Sequence, residues 1–176
     1  MQNFLVKQRL FNIWRSSFYI QNDAGQDCFQ VKSDVHLLFR LTIYDLNGQP
    51  LAKIKKRYFR IFPRYDVYSP DGQLLFKVKA KFSLFTRKAK IISKSPDYNG
   101  LKINGNILAW EFDIDQGDRT VARISKKLLK LSDTYSVSIL DEMDAVNYLA
   151  IAIIMDCMHH KQKGAASKIG GLAVRR

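Results

Sequence analysis

The sequence predicts a mainly β protein: an antiparallel sheet closed into a barrel or folded as a sandwich, with one apolar helix near the C-terminal end. Three observations lead there. A hairpin unit recurs at 17–39, 40–62 and 63–85, with a degraded fourth copy at 110–131. Apolar residues alternate with polar ones after each turn, and one late run breaks that period. Repetition at about 20 to 50 residues marks a fold assembled from one supersecondary unit.

The units share an order of strand, Gly-containing turn, second strand and a basic or polar stretch. Phe18, Tyr19 and Ile20 lead to a turn at Gly25; Leu41 to Asn47-Gly48; Tyr65, Val67 and Tyr68 to Asp71-Gly72; and the fourth copy turns at Gly117. Asn-Gly and Asp-Gly supply the positive φ angles of tight hairpins. After the turns the apolar set is Phe29, Val31, Ala52, Ile54, Phe76, Val78, Ala80, Ala122 and Ile124, which predicts one buried face. The interleaved set is Gln30, Lys32, Lys53, Lys55, Arg57, Lys77, Lys79, Lys81, Arg123 and Lys127, which predicts a basic outer face.

The run at 141–160 reads as a helix, with acids at its start, His159, His160 and Lys161 at its end, and Gly164 beyond. Residues 148–155 are apolar on every side, so the helix needs enclosure all round. A membrane span is the rival reading. Only eleven residues separate Asp144 from Asp156, Asn147 among them, whereas a span takes about 20 apolar residues. A barrel with this helix down its middle satisfies both parts: the inward strand faces need a filler and the helix needs a sleeve.

With 176 residues, 47% of them hydrophobic, the chain suits one core. The expected organisation is a barrel domain over 1–160 and a basic disordered tail over 161–176. Cys28 and Cys157 provide no disulfide framework, and residues 1–5 lack a cleavable apolar region, so a cytoplasmic setting is expected.

The motif Tyr-Asp-Leu-Asn-Gly at 44–48, the run Ala-Arg-Ile-Ser-Lys-Lys at 122–127, the Asp133-Thr134-Tyr135 that follows, and the apolar helix ending at Asp156 resemble the LURP-one-related proteins. Those belong to the tubby C-terminal-like superfamily, together with the phospholipid scramblases. The resemblance covers roughly residues 3–158. It implies a barrel of twelve strands around a central helix. It also implies lipid, because the tubby branch binds phosphoinositides and the scramblase branch is associated with bilayers. Leu128 departs from the pattern where a tryptophan is expected, and the stretch 93–106 is too irregular to align.

Charge supplies the functional expectation. The net charge is +13, and residues 53–90 hold 12 Lys or Arg against Asp66 and Asp71, a net of +10. By the repeat, Lys53, Lys55 and Arg57 correspond to Lys77, Lys79 and Lys81, so neighbouring hairpins align them into a basic stripe. Such a stripe attracts anionic headgroups, with Arg57 suited to bidentate contact. The expected function is a non-catalytic module at anionic phospholipid or phosphoinositide surfaces. Two other readings stay open: a protein-interaction or structural barrel with incidental charge, and a nucleic-acid-associated regulator, although no helix-turn-helix, zinc-finger or RNP-type motif is visible. Tyr58, Phe59, Phe62, Phe82 and Phe85 lie among the basic residues, where either core packing or membrane insertion would use them.

No catalytic residue, metal or cofactor is assigned. The histidines are His36, His159 and His160, and neither a Gly-x-Ser-x-Gly motif nor a phosphate loop occurs. Cys157 with His159 and His160 makes a poor ligand set, because adjacent helical residues diverge. By resemblance to the scramblases, Asp133, Asp141, Glu142 and Asp144 occupy the place of a calcium segment, but their spacing departs from a calcium loop and helix capping also explains them. Asp156, a carboxylate late in an apolar helix, is costly unless hydrogen-bonded or near the barrel mouth, and is expected to meet a basic or backbone partner.

Overall fold

A computed structural model describes residues 1–7, 17–34, 39–58, 63–82, 87–93, 98–106, 110–126, 134–141 and 145–170, with the side chains of Lys7, 80–90, Ser93, Asn106 and 159–170 left aside. The strands are β1 (Gln2–Lys7), β2 (Ser17–Asn22), β3 (Asp27–Ser33), β4 (Arg40–Tyr44), β5 (Pro50–Arg57) and β6 (Arg64–Tyr68), then β7 (Leu74–Phe82), β8 (Arg87–Ser93), β9 (Leu101–Asn106), β10 (Glu111–Gln116), β11 (Arg119–Ser125) and β12 (Thr134–Ile139). One helix, α1 (Ala145–Gly170), follows. Every strand pairs antiparallel with its sequence neighbour, and β1 pairs β12 from Gln2↔Ile139 to Lys7↔Thr134, closing the barrel. The join between β8 and β9 is the thinnest among the described residues, with the single pair Lys90↔Lys102.

The four repeats are the hairpins β2–β3, β4–β5, β6–β7 and β10–β11. Each carries a register shift near its turn, at Ile20/Gln21, Ile43/Tyr44, Val67/Tyr68 and Ile114/Asp115. The turns differ from the expected two-residue form. Gly25, Gly48, Gly72 and Gly117 have φ of 76°, 84°, 96° and 62°, while Asn47 and Asp71 do not take positive φ. Gly25, Gly48 and Gly72 donate backbone N–H to Asn22, Asp45 and Ser69 at 3.0, 3.2 and 3.1 Å. This is a three-residue turn closed by a glycine bulge, which needs only one left-handed residue. The side chains of Asn22, Asp45 and Ser69 then accept from the N–H of Gln26, Gln49 and Gln73 at 3.0, 2.7 and 3.0 Å.

Val31, Ala52, Ile54, Phe76, Val78, Ala122 and Ile124 all point inward and are buried, as the alternation requires; Phe29 packs partly buried against them, and the Ala80 side chain lies outside the described set. The helix fills the barrel, with residues 148–154 fully shielded from solvent. It enters where the tight turns lie: the Asn147 amide donates to the Tyr98 hydroxyl at 2.6 Å, and the Tyr148 hydroxyl donates to Asp141 at 3.5 Å. Cys157 lies beside Tyr65 and Tyr135, at the starts of β6 and β12, so α1 runs to the opposite end. We call these the turn end and the rim. The described helix runs from Ala145 to Gly170, past the 160/161 boundary expected between domain and tail, while residues 142–144 of its expected start lie outside the described residues. Lys, Gln and Ala propagate an existing helix well, and one glycine at 164 costs only about 1 kcal/mol. Among the described residues, no helix is long and apolar enough to cross a membrane.

Candidate anionic-surface site

The strand registers bring the predicted basic residues onto one outer wall. Lys53, Lys55 and Arg57 alternate outward on β5, and Lys77 and Lys79 on β7. The two hairpins are neighbours through β5 and β6, and between the two rows stands β6, whose outward residues are Arg64, Asp66 and Tyr68. Lys55 lies opposite Asp66, and Asp66 opposite Lys77; Arg57 lies opposite Arg64, and Arg64 opposite Lys79. Arg40 on β4 extends the first row beside Lys55. The Lys81 side chain lies outside the described residues.

Asp66 organises the wall. Arg57 Nε donates to one carboxylate oxygen at 2.6 Å and Arg64 Nε to the other at 2.9 Å, with Arg64 Nη2 adding a bond at 3.2 Å. Arg57 Nη2 also donates to the Tyr68 hydroxyl at 2.6 Å. The canopy of long side chains leaves the Asp66 side chain 1% exposed although it is on the outer face. Burial alone pushes this carboxyl up, but the hydrogen bonds and charges of Arg64 and Arg57 outweigh it and hold the group below the usual range. Lys53 Nζ donates to the Pro70 carbonyl at 2.7 Å, and Lys55 Nζ sits 4.8 Å from the Tyr68 ring centre. Lys77 and Lys79 are half-buried along the same wall.

Arg64, Asp66 and Tyr68 were missed because the stripe was read from the second strand of each unit alone. Their i, i+2, i+4 spacing on the intervening strand was the available signal. Tyr58 faces the rim, its hydroxyl accepting from Phe39 N–H at 2.9 Å and its ring under Lys56 Nζ at 5.1 Å. Phe59, Phe62 and Phe85, and the side chain of Phe82, lie outside the described residues, as do His36, Asp133, Glu142, Asp144 and the side chains of His159 and His160. Asp141 is bound to Arg119 at 3.3 Å. Asp156 is wholly buried beside Tyr135, and Cys157 is buried next to it. Beyond β8, a hollow of about 390 Å³ on β9–β11 is lined in part by Gly105, Asp113, Arg123 and Ser125, and its Arg123 is held by Asp113 at 2.7 Å.

The LURP-one-related profile matches residues 2–156, nearly the whole barrel and its buried helix. The chain belongs to the LURP-one-related family. This family member is 29% identical over 159 residues to the uncharacterized protein YxjI of Bacillus subtilis (strain 168), covering 89% of this chain and 93% of that one. An Arabidopsis thaliana protein solved by X-ray crystallography superposes with a TM-score of 0.62 at 19% identity, over 88% of this chain and 89% of the other. That likeness concerns the fold alone.

Proposed function

We propose that this LURP-one-related barrel is a non-catalytic cytoplasmic module that docks on anionic phospholipid surfaces through the wall formed by β5, β6 and β7. One observation carries the reading: Lys53, Lys55, Arg57, Arg64, Lys77 and Lys79 share the outer face of three consecutive strands. The carboxylate facing them there, Asp66, is buried beneath the arginines. The wall thus offers cations and phenol groups, a chemistry that suits phosphate oxygens. Lys55, Lys77 and Lys79 act as point charges. Arg57 shares its guanidinium between Asp66, Tyr68 and solvent, so its part is narrower than free bidentate capture.

Each basic residue near an anionic leaflet contributes about 1 kcal/mol, or roughly five-fold in affinity. Reversing Lys77 and Lys79 to Glu is expected to lower affinity for phosphatidylserine vesicles by about two orders of magnitude or more, while melting stays cooperative. Co-sedimentation with neutral and anionic vesicles measures it. Unchanged sedimentation of the folded double variant would remove the wall from the account. Stronger binding to duplex DNA than to any vesicle would favour the nucleic-acid reading instead.

A further inference from the structure

The charges of the barrel are sorted along its axis as well as around its wall. At the turn end stand Asp23, Asp27, Asp45, Asp71, Asp118 and Asp141, against Lys53, Lys102 and Arg119. Six acids stand against three cations, so the turn end is acidic on balance. At the rim stand Lys32, Arg40, Arg57, Arg64, Lys79 and Lys126, against Asp34 and Glu111. The polarity complements the dipole of α1, which starts at the acidic end. A macrodipole amounts to only about half a charge at each end, so it does not account for charge on this scale. From Met158, which is still buried, α1 continues to Gly170 through a stretch containing Lys161, Lys163 and Lys168 and no acid.

We infer that the β5–β7 wall meets an anionic bilayer tilted, its rim half with Arg57, Arg64 and Lys79 lowest, α1 leaving the barrel on the membrane side and the turn end lifted away. This rests on the membrane reading above and adds an orientation to it. A six-residue strand spans about 20 Å, more than twice the physiological screening length of about 8 Å. In that pose the turn-end acids are screened from the lipid charge. Laid flat on that wall, Asp45 and Asp71 in the turns of β4–β5 and β6–β7 would come down beside the surface and oppose it.

The test attaches an environment-sensitive dye at either end of a protein carrying Cys28→Ser, with Cys157 buried in the core. Ser17→Cys marks the rim and Asn47→Cys the turn end; both positions are exposed and uncharged. With vesicles of phosphatidylcholine and phosphatidylserine in equal parts, containing a doxyl-labelled quencher lipid, the Ser17 probe is expected to be quenched and the Asn47 probe unaffected. Equal quenching, or quenching at Asn47 alone, overturns the orientation while leaving membrane binding standing. Absence of co-sedimentation in the same samples overturns both. As a label-free arm, Asp45→Asn with Asp71→Asn is expected to leave vesicle affinity unchanged; a gain approaching five-fold per charge would mean that the turn end lies at the surface.

Discussion

Asp66 is a carboxylate on the outside of a barrel that behaves as a buried group, and its worth follows from which partner is shielded. Arg57 is 49% exposed, so its ion pair is screened and contributes little, whereas Arg64 at 18% is the stronger partner. Asp66→Ala leaves both guanidiniums able to reach water, which keeps its cost to about 1–3 kcal/mol rather than that of a stranded interior charge. Urea unfolding measures this, and Asp66→Asn, which retains an acceptor, is expected to lose less. Because the folded carboxyl is held below its ordinary value near about pH 4, its contribution is present above that pH and fades as pH falls through the lowered value. A wild-type acid limb no steeper than that of Asp66→Asn would show that the carboxylate adds nothing.

At the scale of elements, α1 is the piece on which the barrel depends. Ala152 is wholly buried in the middle of the helix, and Ala152→Lys would place an ammonium where several kcal/mol of desolvation go uncompensated, against a net stability of about 5–15 kcal/mol for a domain. Loss of a cooperative melting transition is the expected result; a wild-type melt would put this face of the helix outside the core. The helix was legible because an all-round apolar run has few homes. The hairpins were legible because turn chemistry is local: Gly25, Gly48, Gly72 and Gly117 announce themselves. Their bulges were not, since a register shift is a property of two strands. The turn sequences Asn-Asp-Ala-Gly-Gln, Asp-Leu-Asn-Gly-Gln and Ser-Pro-Asp-Gly-Gln did contain the capping pattern. Strands β1, β8, β9 and β12 belong to no repeat and gain definition only from their partners. Asp66 was visible only as a charge, because its burial comes from Arg64 two residues before it and from Arg57, which the β5–β6 register brings over it.

For the molecule as a whole, the barrel interior encloses phenols that the folded state keeps neutral. Tyr65 on β6, Tyr135 on β12 and Tyr148 on α1 are all fully buried. Burial is the main force pushing each hydroxyl above its ordinary value, with Asp156 adding to it at Tyr135 and Asp141 at Tyr148. In the unfolded chain these groups ionise near pH 10, at about their ordinary value. Below that pH both states hold the proton and stability is intact. Above it the unfolded state releases protons that the native state retains, so stability falls by about 1.4 kcal/mol per pH unit for each tyrosine, and by about 4 kcal/mol for the three together. Urea unfolding from about pH 8 to about pH 11 should therefore show a plateau and then a steep decline. The part of the phenolate absorbance that these three contribute should rise together with loss of structure rather than before it. Tyr135→Phe is expected to shed about a third of that slope at little cost near neutral pH, since the Tyr135 hydroxyl makes no hydrogen bond among the described residues. An unaltered slope in that variant would mean that the Tyr135 phenol ionises in the native barrel, and that the interior around Asp156 and Cys157 is open to water.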